Sequence, residues 1–261
     1  MKVIILAAGQ GTRLRPLTDH QPKCMVEIGH KSIIDRQIEV MKACGIKEED
    51  IYIVGGYRSD VLAEHFRDTG IRIIHNQEYE TTNMVCSLMC ARSQIESSDD
   101  VLVSYGDIVY SEVVLNEILR SGKAISVTVD DGWYGYWSAR MENPLEDAET
   151  LVIDREGCLE EIGQKTDDIS RIQAQYIGLM RFRNTGVADL LKYCALAEKK
   201  SADGERLWRT ERPYRKMYMT DLLQGMIDEG VRLSAVHIDR GWFEVDCAED
   251  LKVAEKCAKI C

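Results

Sequence analysis

The chain begins with an unbroken apolar run. Over residues 2–9, β-branched and aliphatic side chains occupy consecutive positions, and a glycine ends the run. This pattern predicts a strand covered on both faces, as in a parallel sheet. The spacing then changes. Ser32 precedes apolar residues at 33, 34, 38 and 41 and a glycine at 45. That arrangement predicts a helix with Ser32 as N-cap, one buried face and a glycine stop. The alternation continues with strands at 50–56, 71–76 and 101–107 and helices at 58–68 and 83–95. Strands alternating with helices imply βαβ units with right-handed crossovers. The expected fold is α/β: a Rossmann-like three-layer αβα sandwich around a mixed, mostly parallel sheet.

From about residue 124 the strand-like segments shorten: 124–130, 148–163 broken at Glu156 and Gly157, and 174–182. These predict antiparallel additions that cover a pocket. Helices are expected at about 186–199, 218–229 and 247–259, with one more strand at 232–238. No repeat, low-complexity stretch or linker interrupts the chain, so all 261 residues are assigned to one domain.

Composition narrows the class. A chain of 261 residues, 45% hydrophobic and 30% charged, is ordinary globular protein with surface enough to build a core unaided. No apolar stretch is long enough to span a bilayer, and residues 1–9 do not form a secretory signal, so a cytoplasmic protein with no membrane partner is expected. The nine cysteines follow no metal spacing and are expected to be reduced thiols. A net charge of -11 argues against a nucleic-acid-binding surface. Against that background the opening segment is unusual: residues 1–23 hold Lys2, Arg13, Arg15 and Lys23 against Asp19 alone. A cationic pocket in an acidic protein points to a small anionic ligand; a solvated loop is the plainer alternative.

In open α/β sheets the ligand lies beyond the carboxyl ends of the strands, so the loop after the first strand is the place to look. Gly9 and Gly11 are followed by Leu14, not by the third glycine of a dinucleotide fingerprint, and no lysine completes a Walker loop. What remains is a turn whose backbone amides can face an anion, flanked by Arg13 and Lys23. Asp107 ends one predicted strand and Asp246 precedes the last helix. Either can be a metal carboxylate or a cap, Asp246 pairing with Glu249 in a capping box. Asn83 and Ser87 lie four apart, on one helical face, although Asn83 is equally an N-cap. Trp133, Tyr134, Tyr136 and Trp137, beside Asp130 and Asp131, can cage an ammonium group or alternate between core and surface on an edge strand.

The stretch LAAGQGTRLRPLTDHQPK, residues 6–23, closely resembles the signature of nucleotidyltransferases that join a nucleoside triphosphate to a sugar phosphate or a small phosphorylated alcohol. The resemblance implies that Leu6, Ala8 and Gly9 lie against base and ribose. It also implies that Gly11, Thr12 and Arg13 hold the triphosphate, that Lys23 reaches the α-phosphate, and that Asp107 and Asp246 bind Mg2+. Gly56, Asn83 and Ser87 join the nucleotide side, and Lys165, Gly178 and Asp221 join Trp133, Tyr136 and Trp137 on the acceptor side. The nucleotide part is then about 1–123, the acceptor part about 124–246, and a final helix 247–259. Segments 79–88, 129–140 and 217–230 are similar to cytidylyltransferases acting on phosphocholine, 2-aminoethylphosphonate or phosphorylated glutamine. The implied partners are CTP, or another triphosphate, and a small phosphorylated or phosphonate acceptor, with a homodimer left open. A sugar-1-phosphate nucleotidylyltransferase using CTP, UTP, GTP or dTTP is the nearest alternative. A catalytically silent nucleotide-binding subunit is an alternative of another class.

Overall fold

The structure, a computed structural model, describes residues 1–257. The first half contains β1 (Lys2–Ala7), β2 (Glu27–Ile28), β3 (Lys31–Ser32), α1 (Ile33–Ala43), β4 (Ile51–Gly55), α2 (Ser59–His65) and β5 (Arg72–His75). Then come α3 (Met84–Cys90), α4 (Arg92–Glu96), β6 (Asp100–Tyr105), β7 (Ile108–Tyr110), α5 (Glu112–Arg120) and β8 (Ile125–Asp130). The remainder is α6 (Trp133–Arg140), β9 (Glu149–Ile153), β10 (Leu159–Lys165), β11 (Gln175–Arg183), α7 (Thr185–Ala202), α8 (Met219–Asp228), β12 (Ser234–Ile238), β13 (Trp242–Glu244) and α9 (Ala248–Cys257).

Seven strands form the central sheet in the order β12-β8-β11-β6-β1-β4-β5. All pairings are parallel except the two made by β11, which runs against β6 and β8. The apolar runs explain the layers. Successive strand residues point to opposite faces, so Val3, Ile5, Ile51 and Ile53 join one core while Ile4, Leu6, Tyr52 and Val54 join the other. Helices α1, α2 and α5 cover the first face, and α3, α4, α7 and α8 cover the second. This is the expected three-layer sandwich with a mixed, mostly parallel sheet.

Local signals behaved as their chemistry requires. Ser32 Oγ accepts from the Asp35 amide and caps α1, and Gly45 follows that helix at φ +84°. The predicted helix at 83–95 is two short helices meeting at Ala91. The 148–163 segment is an antiparallel hairpin, β9–β10, outside the main sheet, turning through Gly157 at φ +78°. The edge strand considered for the aromatic residues is not formed; β8 ends at Asp130 and α6 begins at Trp133. Trp133, Tyr136 and Trp137 recur at the three- and four-residue spacing of a helix, and α6 buries all three on one face. The last expected helix is observed as α9; its residues 258–259 lie outside the described residues. Seven cysteines among the described residues are free thiols, and no helix among them is long and apolar enough to cross a membrane.

Candidate active site

The loop after β1 folds back so that its own lysine closes it. Gly11 sits at φ +61°, where an added Cβ would lie 2.9 Å from the Lys23 Cβ, and Thr18 Oγ1 donates to the Gly11 carbonyl at 2.9 Å. Glycine is required there for both reasons. One tight helical turn, Thr12–Leu14, follows and exposes Thr12 and Arg13. Gly9 is different. Nothing lies within 4 Å of where its Cβ would be, so a ligand can approach the backbone closely.

Lys23 projects into a set of three carboxylates. Its Nζ donates to Asp107 Oδ2 at 2.7 Å and to Asp246 Oδ1, and Arg13 pairs with Asp246 Oδ2 at 2.9 Å. One oxygen each from Asp107, Glu244 and Asp246 lies within 4.8 Å of the others. Burial alone would lower the Lys23 pKa, but the charges of Asp107, Asp246 and Glu244 outweigh it and hold the ammonium form. Burial opposes ionisation of Asp246 too, yet Lys23, Arg13 and Arg140 keep its carboxyl below the usual range. Glu244 goes the other way: burial, with Asp246 and Asp107 beside it, pushes its carboxyl up to about 8. Asp107 Oδ1 is buried and accepts no hydrogen bond. An all-carboxylate donor set with one unpartnered buried oxygen fits a hard divalent cation.

Beside this cluster opens a cleft with about 650 Å³ of empty space. Leu6, Ala8, Gly9, Lys23, Asn83, Ser87 and Asp107, all expected on sequence grounds, line it together. Gly11, Thr12 and Arg13 stay on the loop outside that lining. Gly56 acts at one remove: an added Cβ would lie 2.4 Å from the Cβ of Tyr79 and 2.7 Å from the Ala8 carbonyl, so its absence lets Tyr79 reach the cleft wall. Asn83 is the N-cap of α3, accepting from the Met84 amide, and lines the cleft as well. Buried Asn76 donates to Ser87 Oγ at 3.0 Å.

The acceptor-side residues lie outside this lining. Lys165 donates to the carbonyls of Glu146 and Asp147, each at 3.2 Å. Gly178, at φ +82°, makes room for the Tyr105 ring, 2.6 Å from where its Cβ would be, and Tyr105 does line the cleft. Asp221 accepts from the Tyr218 amide and pairs with Arg212 at 3.0 Å, so its carboxylate caps α8 and holds an arginine. The aromatic cage requires correction. Trp133, Tyr136 and Trp137 are 4–7% exposed and pack edge-on with one another. Arg140 and Arg240 of the same chain lie over the Tyr136 ring, at 5.1 and 4.0 Å from its centroid. The rings already serve internal cations. Through Arg140 they brace the acidic cluster, because its guanidinium grips Asp250 at 2.7 and 3.1 Å and reaches Glu244 at 3.3 Å.

Sequence reasoning missed Glu244, although it lies only two residues before Asp246, at the end of β13. It also missed Tyr79, Thr82, Met84, Tyr105 and Gly106 in the cleft wall. The acid that caps the amides of Asp246 and Cys247 is Asp250, at 2.9 and 3.1 Å, rather than Glu249 as the capping-box spacing suggested.

A sheet with this strand order, a glycine loop at its carboxyl edge and facing carboxylates is the architecture of a nucleotidyltransferase. Residues 3–174 match the MobA-like NTP transferase domain, and the chain belongs to that family. It is 39% identical over 258 residues to a CTP:phosphoglutamine cytidylyltransferase of Campylobacter jejuni subsp. jejuni, an alignment spanning 97% of this chain and 98% of that protein. A choline-phosphate cytidylyltransferase of Streptococcus pneumoniae is 36% identical over 124 residues, 46% of this chain and 51% of the relative. Among solved structures, the CTP:phosphocholine cytidylyltransferase from Streptococcus pneumoniae superimposes with a TM-score of 0.70 at 21% identity, covering 98% of each chain. The inositol-1-phosphate CTP transferase from T. maritima gives 0.70 at 20% identity, covering 99% of this chain and 95% of that one.

Proposed function

We propose that this enzyme is a Mg2+-dependent cytidylyltransferase that transfers CMP from CTP to a small phosphorylated or phosphonate acceptor of the phosphoglutamine, phosphocholine or 2-aminoethylphosphonate type, releasing pyrophosphate. The observation that carries the reading is the end-to-end match to the CTP:phosphoglutamine cytidylyltransferase, which leaves no large part of either chain unpaired.

The residues have complementary tasks in this reading. Leu6, Ala8 and Gly9 receive base and ribose, with Asn83 and Ser87 on the opposite wall. Amides of Gly11 to Arg13 and the Arg13 side chain hold the triphosphate. Lys23 neutralises charge that builds on the α-phosphate while an acceptor oxygen attacks in line and pyrophosphate leaves. Such transfers depend on positioning and charge neutralisation more than on a covalent nucleophile. Asp107, Asp246 and Glu244 would hold Mg2+, which supplies charge neutralisation at the phosphates when bound. Lys165 is assigned to the acceptor phosphate, Gly178 to seating Tyr105 between the two halves, and Asp221 to holding Arg212. A cytoplasmic reaction is part of this reading.

The test pairs CTP, UTP, GTP and dTTP with phosphoglutamine, phosphocholine, 2-aminoethylphosphonate and glucose 1-phosphate, following pyrophosphate release. CTP with a non-sugar acceptor is the expected productive pairing. Turnover confined to a sugar phosphate with UTP or dTTP would overturn the assignment.

A further inference from the structure

Helix α1 buries an amide in apolar surroundings. Gln37 is fully buried on the core-facing side of the helix, with Ile33, Ile34, Ile38 and Met41 as its buried helix neighbours. An amide in such a place is unfavourable unless its groups are hydrogen-bonded. Gln37 satisfies that demand far away in sequence. Its Nε2 donates to the Tyr105 carbonyl at 2.9 Å and the Ile108 carbonyl at 2.6 Å, and its Oε1 accepts from Ser104 Oγ at 3.2 Å. The two carbonyls bracket Gly106 and Asp107, the connection between β6 and β7.

Two backbone groups of that connection are also tied. Gly106 donates to the Leu6 carbonyl at 2.9 Å, and the Asp107 carbonyl accepts from the Val245 amide at 3.0 Å. The side chain is less constrained: Asp107 Oδ2 meets Lys23, while buried Oδ1 has no partner. A carboxylate on a short connection is aimed by its backbone, and Mg2+ tolerates little departure from octahedral geometry.

We propose that Gln37 is a positioning residue for the metal centre: by gripping both carbonyls that flank Gly106 and Asp107, it sets the direction in which Asp107 presents its free oxygen. The inference rests on the reading of Asp107 as a metal carboxylate. It extends that reading to a helix that touches neither nucleotide loop nor acceptor half through this side chain.

Gln37→Met keeps the length of the side chain and deletes both donors. With folding checked by circular dichroism and thermal melting, Mn2+ binding in the presence of CTP is measured by electron paramagnetic resonance, alongside steady-state kinetics. Mn2+ should bind at least about tenfold more weakly and kcat should fall comparably, as is usual for residues that orient a metal ligand. The KM for CTP at saturating metal should stay within about twofold, because no substrate contact is removed. Gln37→Asn retains the amide but is one methylene short, and should show the same split in weaker form; it carries the test if the methionine variant does not fold. Undiminished Mn2+ affinity in a folded variant, or a rise in the CTP KM equal to the loss of metal affinity, would overturn the proposal. Asp107→Asn distinguishes the two levels. If that variant binds Mn2+ normally, the metal reading of Asp107 itself is lost; if it binds weakly, adding Gln37→Met should change affinity little further, since both act through one oxygen.

Discussion

Replacing Lys23 by methionine separates the structural and chemical duties of the cationic loop. Its ammonium contacts Asp107 at 2.7 Å and Asp246, with side-chain exposures of 15%, 22% and 19% respectively. Methionine preserves most of the packing and removes the cation that Asp107 and Asp246 share, while Arg13 still pairs with Asp246 and Arg140 with Glu244. Removing one partner from a buried ion pair costs about 3 to 5 kcal/mol, and the partial exposure here favours the lower end, about 3 kcal/mol. For a chain of this size that corresponds to a melting temperature lower by roughly 6 to 12 °C. The loss should be greatest in metal-free buffer. Saturating Mg2+ should recover more stability in the variant than in the parent, because an added divalent cation then replaces the missing charge and binding to the folded state raises stability by mass action. Turnover should fall at least about a hundredfold even at saturating metal and substrates, the usual cost of deleting a group that stabilises developing charge. Thermal melts with and without Mg2+ and a pyrophosphate-release assay measure the three effects. Parental melting in metal-free buffer, or equal Mg2+ stabilisation of both proteins, would refute the charge-balance argument; parental turnover would remove Lys23 from the chemistry.

Gly9→Ala should leave stability within about 0.5 kcal/mol, since no heavy atom lies within 4 Å of the new methyl group, yet raise the CTP KM at least about tenfold by displacing the nucleotide. An unchanged KM would take Gly9 out of the nucleotide contact. Glu149→Gln tests a pH effect. Burial, with Asp147 and Asp221 adding to it against Lys165 and Arg212, pushes the Glu149 carboxyl up to about 7 from an ordinary 4.5. The folded chain therefore retains a proton that the unfolded chain has lost, and stability contributed by this group declines as pH rises through that window. The glutamine variant should be more stable than the parent by about 3 kcal/mol near pH 8 and equal to it near pH 4; denaturation curves running parallel at all pH values would contradict this.

What could be read from the sequence was what depends on local chemistry. Consecutive apolar residues in β1 and β4 declared strands buried on two faces, and Ser32 with Gly45 marked both ends of α1. The loop from Gly9 to Lys23 carries its cations and its obligatory Gly11 within a few turns of chain. Harder to read were features created by distant partners. Gln37 sits at a position indistinguishable by period from its apolar neighbours, and only the fold brings it to Ser104, Tyr105 and Ile108. Asp221 and Asp250 carry charges that invite functional readings, but each is used for backbone amides and an arginine. The aromatic stretch misled for a different reason. With rings at 133, 134, 136 and 137, alternation and helical spacing are both partly satisfied, and Tyr134, 53% exposed, is the ring that the helix turns outward. Glu244 was legible in principle, two residues before Asp246, but a single acid in a three-residue strand gives little signal until β13 is seen to pair with β7.

That pairing makes assembly of the acidic cluster depend on a contact between segments far apart in the chain. Asp107 lies within the stretch that matches the family domain, whereas Glu244 and Asp246 lie beyond it. Only when β13 docks on β7, and the Val245 amide takes hold of the Asp107 carbonyl, do the acids converge.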